Sequence, residues 1–372
     1  MRRLSSSSVV LFALAVLSAC STLSVESAFP SAAREAEAPA PPLEQVWRVN
    51  ADAGFGADAP AVFTDGRVLV GTRDGGVLVI DGRTGETVGK GDVGDAINGR
   101  LEAMGPLVFV PVTKGREGLV AFDAVRSAKR WGVRGTEHVG GAKLSGGVLV
   151  AAAHDGTVRG IEPQKGRELW AERMGETAQV HASVVLAGDL AIVADTDGWV
   201  RAFDPQTGAV RWDAQVGAPV YRTPAASGAL AVFPTTRGAL VALDATTGAE
   251  RWRVESAAGV RWATPALGGG RVFAGGTDGR LLAIDAGTGE VRWARPFDGV
   301  IAAAPLAAGG LVYVGTYRNE LVALDAETGA EQWRHELPGR VRSGLVGAGG
   351  TLVVLAEPRY IYGFRPTASA SR

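Results

Sequence analysis

Few residues in this chain could carry nucleophilic, redox or metal chemistry, and their spacing does not gather them. Cys20 is the one cysteine, which excludes a disulfide framework, a CxxC redox pair, a vicinal Cys-Cys pair and a CxxCH haem site. The four histidines, His138, His154, His181 and His335, are scattered without the HxxxH or HExxH spacing that aims two imidazoles at one zinc ion, and each is expected on the surface or in a loop. Asparagine occurs at Asn50, Asn98 and Asn319 alone, a thin supply of amide oxygen for a calcium ion that needs six to eight oxygen ligands. There is no GxSxG elbow and no GxxxxGK[ST] phosphate loop. Lysine and arginine number 38 against 39 acids, a net charge of −1 that argues against a nucleic-acid binder, which usually carries a basic face. The expectation is a binding protein with no catalytic residue, no cofactor and no metal.

What does recur is an acidic residue followed eight positions later by tryptophan. Asp123 leads to Trp131, Glu162 to Trp170, Asp204 to Trp212, Asp244 to Trp252, Asp285 to Trp293 and Asp325 to Trp333. Asp81 opens another copy, with Gly89 where the ring would stand. Successive acids are 42, 39, 42, 40, 41 and 40 residues apart. Such a period marks a repeat architecture, in which each unit buries its apolar faces only against its neighbours. The chain holds 52 glycines and 18 prolines, which suits many short strands joined by tight turns rather than long helices.

Each period divides into four strands. In the copy from 217 to 255 they fall on Thr223–Ala226, Leu230–Phe233, Leu240–Leu243 and a segment carrying Trp252, with turns at Ser227-Gly228, Arg237-Gly238 and Asp244–Gly248. Four antiparallel strands per ~41 residues, repeated radially, predict an all-β, eight-bladed propeller over residues 43–366. Trp47 stands 42 residues before Gly89, as the last strand of a copy whose other three strands lie between 341 and 366. Pairing these chain ends closes the ring and removes its free edges. The seven motif tryptophans, Trp47, Trp131, Trp170, Trp212, Trp252, Trp293 and Trp333, are expected to dock between blades as structural side chains.

The N-terminus reads as an address. Arg2 and Arg3 precede the apolar run Val9–Leu17, which would rise roughly 13 Å as a helix, far less than a bilayer core of ~30 Å. The sequence Leu17-Ser18-Ala19-Cys20 resembles the lipobox of bacterial lipoproteins. That resemblance implies a signal peptide over 1–19, a lipidated Cys20 and, with Ser21 following, transfer to the outer membrane. Residues 20–42, rich in Ala, Ser, Pro and Glu, read as a flexible tether, and 367–372 as a disordered tail.

The acid, Thr-Gly and tryptophan pattern resembles the tryptophan-docking repeat of the pyrroloquinoline-quinone propeller superfamily. Its fullest copies are LVALDATTGAERW, LLAIDAGTGEVRW and LVALDAETGAEQW. Gly89 for Trp, Ser127 for Gly, Glu162 for Asp and Arg365 for Asp depart from it. Lipobox, tether and a bare ring are similar to the BamB-type lipoproteins, non-catalytic subunits of the outer membrane β-barrel assembly (BAM) complex. The resemblance implies a periplasmic scaffold, anchored by lipid in the outer membrane, whose partners are the POTRA domains of BamA, other BAM subunits and unfolded outer membrane proteins. Quinone-dependent dehydrogenases share the repeat, so a periplasmic dehydrogenase remains a competing reading, as does a generic sugar- or peptide-binding propeller.

Strand order sorts the loops onto two faces. One face carries the Asp-x-x-Thr-Gly hairpins; the other carries the connections between blades and the turns between second and third strands. The second is richer in interface residue types, with Trp199, Tyr221-Arg222, Arg261-Trp262, Tyr317-Arg318, Arg340 and Arg342. The family resemblance points to the loops at about 174–182 and 214–223, although Glu176, Thr177, Gln179, Pro219 and Tyr221 do not match the family's contact side chains. Trp199, Tyr221, Arg222 and Trp262 are the expected docking patch.

Overall fold

Alternation of Gly-rich turns with short Val, Leu and Ala runs gives a chain of hairpins. The computed structural model describes residues 38–56, 61–62, 66–135, 137–257 and 259–367. The expected signal peptide, Cys20, the tether up to residue 37 and the tail from 368 lie outside the described residues. Among the described residues thirty-two strands form eight sheets of four, each sheet in simple up-and-down order except the last. In blade 5 the strands are Ala225–Ser227, Leu230–Pro234, Leu240–Asp244 and Glu250–Val254. The second and third are buried on both sides because a neighbouring sheet covers each face, hence their unbroken apolar runs. The fourth lies at the rim and alternates between charged and apolar residues.

The eighth sheet is the closure. Leu43–Asn50 pairs antiparallel with Tyr360–Pro366, followed inward by Thr351–Ala356 and Val341–Ala348. The two ends of the propeller are thus hydrogen-bonded to each other, as the split repeat predicts. The packed body begins earlier than expected, however. Composition places residues 38–42 in the tether, yet Ala38 packs on the core between blades 7 and 8, the Tyr313 hydroxyl donates to the Pro39 carbonyl, and Thr367 N–H donates to Pro42 O at 3.0 Å. Burial pushes the Tyr313 phenol up to about 12, so it stays a donor.

The core sits between blades. One cluster joins Ile192 and Ala202 of blade 4 to Phe233 and Val241 of blade 5; another joins Tyr313 and Leu321 of blade 7 to Val354 and Tyr362 of blade 8. Each motif tryptophan locks such a seam. The Nε1–H of Trp131, Trp170, Trp212, Trp252 and Trp293 donates to the carbonyl just after the next blade's motif acid, at 2.9–3.2 Å. Trp47 reaches Gly82 O in the same way, and Trp333 reaches Leu43 O across the closure. The indole ring covers the glycine of the next hairpin. At Gly248, φ is +76° and an ideal Cβ would lie 2.6 Å from the Trp212 ring, so the position demands glycine twice over. Burying a ring of ~150–250 Å² at ~25 cal/mol/Å² is worth roughly 4–6 kcal/mol gross.

The motif acids hold the hairpins. Asp285 Oδ1 accepts the N–H groups of Gly287 and Thr288 at 3.1 and 3.0 Å, while Oδ2 accepts from Arg292 at 2.9 Å. The Arg292 guanidinium and these N–H groups hold the Asp285 carboxyl down to about 2.

Candidate functional site

The face opposite these hairpins is built from the connections between blades. Each connection inserts one buried side chain beneath the loops: His138, Val180, Val220, Trp262, Ile301 and Val341 occupy this position in blades 3 to 8. His138, Val220 and Ile301, for example, donate their backbone N–H to the second turn of the preceding blade. Trp262 is 3% exposed and its Nε1–H donates to Gly238 O at 2.7 Å. It is therefore a seam residue, and the expected patch loses it. His138, expected in a surface or loop role, is in a loop but buried for the same reason.

The other three patch residues stay at the surface. Trp199 is 42% exposed, Tyr221 47%, and Arg222 is half-buried. Asp195 positions them. Its backbone N–H and C=O bond to Trp199 O and Val220 N, and its Oδ1 accepts the N–H groups of Asp197 and Trp199 at 2.9 and 2.8 Å. The turn of blade 4 and the connection into blade 5 are thereby held together, with Trp199 on one side and Tyr221 on the other.

Asp195 is wholly buried, and its Oδ2 finds no partner among the described residues. Desolvation raises its carboxyl above the ordinary value, against the two backbone N–H bonds that favour the anion. Equivalent turns carry Thr72, Thr235 and Thr316 here, and the Thr235 hydroxyl both donates to Ala239 O and accepts from Ala239 N–H. Asp195 makes the accepting half of that pattern and leaves an oxygen over.

Two histidines extend the patch, and sequence reasoning did not group them with it. The His154 and His181 rings meet edge to face at 4.6 Å, and His181 lies 4.7 Å from the Tyr221 ring. These three rings come from connections and turns of blades 3, 4 and 5, so they form a row across two seams. His181 follows buried Val180 as Tyr221 follows buried Val220, and that register was the available signal. Burial, then the neighbouring His154, lowers the His181 imidazole below its usual range. In the loop at 174–182, Glu176, Thr177 and Gln179 are exposed while Met174, Ala178 and Val180 are buried.

The central shaft is lined by the first strands of the blades, and an ideal Cβ on Gly268 would lie 2.7 Å from Ala307 Cβ on the next blade. Lys143 of blade 3 pairs with Glu102 of neighbouring blade 2 at 2.7 Å. Among the described residues no three His, Cys, Asp or Glu side chains converge as a metal site.

Fold and face together define an eight-bladed propeller of tryptophan-docked blades with an aromatic loop face. The sequence model of the family described as outer membrane protein assembly factor BamB matches residues 73–235 and 236–367, and the chain belongs to that family. The structure of BamB from Moraxella catarrhalis is similar at 21% identity and TM-score 0.73, covering 87% of this chain and 99% of that one. The computationally designed Ika8 protein is similar at 18% identity and TM-score 0.74, covering 86% and 99%. A quinohemoprotein alcohol dehydrogenase from Comamonas testosteroni is similar at 15% and 0.71, covering 87% of this chain and 76% of its own. At these identities the likeness is one of fold. No curated protein sequence matches the chain.

Proposed function

We propose that this protein is a non-catalytic scaffold of outer membrane β-barrel assembly, held at the periplasmic side of the outer membrane by lipid on Cys20. Its loop face docks on the POTRA domains of BamA through Trp199, Tyr221 and Arg222. The observation that carries this reading is the exposed Trp199–Tyr221 pair set on the Asp195 turn, in a chain of the BamB family. Large aromatic rings held rigidly and still exposed are typical interface anchors. The His154–His181–Tyr221 row widens that surface across three blades.

The test is co-purification. Full-length tagged protein, extracted from outer membranes in mild detergent, retains BamA, and the Trp199→Ala/Tyr221→Ala/Arg222→Ala variant retains at most about a tenth as much. Equal retention by a folded variant overturns the patch, and loss of BamA from the unaltered protein overturns the function. Addition of pyrroloquinoline quinone with Ca²⁺ is expected to give no dye reduction with alcohols.

A further inference from the structure

The same face carries a second feature, on the far side of the shaft from the aromatic row. Glu357, in the second turn of blade 8, is shared by three arginines. Arg342 approaches it at 3.4 Å, Arg73 at 3.7 Å and Arg340 at 3.9 Å. These are long contacts beside the tight pairs elsewhere, such as Arg295–Glu331 at 2.6 Å and Arg253–Glu250 at 2.8 Å. No further hydrogen-bond partner is found for the three guanidiniums among the described residues. All three are half-exposed, and Arg340 also lies 5.7 Å over the Tyr317 ring. One carboxylate thus faces fifteen N–H donors, and the group carries a net charge of +2.

The fold does not require these arginines. Where blade 8 has Arg340 and Arg342, the same connection positions in blades 4 and 5 hold Gln179 with His181 and Pro219 with Tyr221. Where blade 1 has Arg73 in its second turn, blades 4 and 5 have Thr196 and Thr236. Two segments remote in sequence therefore bring three cationic side chains together without a structural demand.

We infer that Arg73, Arg340 and Arg342 form a docking site for an acidic polypeptide segment that presents two or more carboxylates. Guanidinium forks match carboxylates in pairs. Two unbalanced charges and unsatisfied donors define the ligand's sign, and the Tyr317 ring gives its chain a flat apolar rest. A protein partner is favoured over the anchoring membrane by position. Pro42 and Leu43, from which the chain leads back to Cys20, lie at the hairpin face, because Leu43 pairs with Pro366 at the end of the last third strand. The arginines lie at the opposite face. This inference goes beyond the aromatic patch and stands without it.

The experiment uses the full chain in detergent and fluorescent hexaglutamate as the probe, with hexalysine as control. Wild-type protein binds hexaglutamate, Arg73→Gln/Arg340→Gln/Arg342→Gln weakens it by about tenfold or more, and Glu357→Gln strengthens it by about threefold by removing the competing anion. The differences shrink at about 0.5 M salt. If the triple variant loses its thermal transition, Arg340→Gln alone, the most exposed of the three, must show the same sign. Equal binding by wild type and arginine variants overturns the inference. So does binding to phosphatidylglycerol vesicles, but not to hexaglutamate, that depends on these arginines.

Discussion

Val79 lies directly across the strand ladder from Gly89, the inverse of the pair that every other blade carries at this place. Elsewhere the motif tryptophan stands opposite alanine or glycine, as in Ala121–Trp131, Ala202–Trp212, Ala283–Trp293 and Gly363–Trp47. The small partner is needed because the ring lies over it; an ideal Cβ on Gly363 would fall 2.0 Å from the Trp47 ring. Blade 1 exchanges volumes instead, and the change propagates into blade 2. Ser127, at φ 50°, takes the place of the hairpin glycine that a tryptophan would cover. Three departures from the repeat are thus one compensated substitution.

Gly89→Trp alone should lower stability by about 1–3 kcal/mol, since its ring would overlap Val79 and the Ser127 Cβ. Val79→Ala/Gly89→Trp/Ser127→Gly should recover that loss and exceed the sum of the single changes by at least ~1 kcal/mol. Urea unfolding followed by tryptophan fluorescence measures both. Additive behaviour would separate the three positions.

Trp199 and Trp262 share a residue type and differ in duty. Trp262→Ala removes a buried ring and its bond to Gly238 O, and should cost about 3–5 kcal/mol. Trp199→Ala should leave stability within about 0.5 kcal/mol. Thermal unfolding of the two variants side by side checks the assignment of one to the seam and the other to the surface.

Asp195 gives stability a pH dependence of unusual sign. Its folded carboxyl titrates above the unfolded value of 3.8, so its contribution is fully present below about pH 4 and is lost as pH rises through the folded value. Asp195→Thr, which restores the hydroxyl pattern of Thr235, should therefore stabilise the protein by about 1 kcal/mol at pH 8, with the gain vanishing near pH 4. Unfolding midpoints at the two pH values read the difference.

The hairpin acids act in the opposite direction. Asp285 is held down to about 2, and Asp81, Asp204 and Asp325 are also lowered by hydrogen bonds to their hairpins. Their contribution is present above about pH 4 and lost as pH falls toward 2. His181 adds a loss that begins below pH 6.5, because its folded imidazole resists protonation. Urea midpoints should fall between pH 5.5 and 2.5; a flat profile over that range would deny the hairpin acids their role.

The propeller was legible because its determinants are local. Asp244, Gly248 and Trp252 lie within one hairpin, and repetition multiplies their signal. The closure was legible too, since the Trp47 segment supplies one strand, and the segment ending near Arg365 the other three, of a single repeat. Trp262 was misread because connections differ in length: it follows Val220 by 42 residues but precedes Ile301 by 39, so counting from the motif acid does not bring it into its buried column. The His154–His181 contact and the sharing of Glu357 by Arg73 and Arg342 arise between blades. Nothing in either segment alone announces them.

Photo-crosslinking in intact cells tests docking by the loop face most directly. Benzoylphenylalanine at Tyr221, and separately at Thr246 in a hairpin on the opposite face, reports what touches each face. A BamA adduct is expected from position 221 and none from 246. An adduct from 246 with none from 221 would contradict docking by that face.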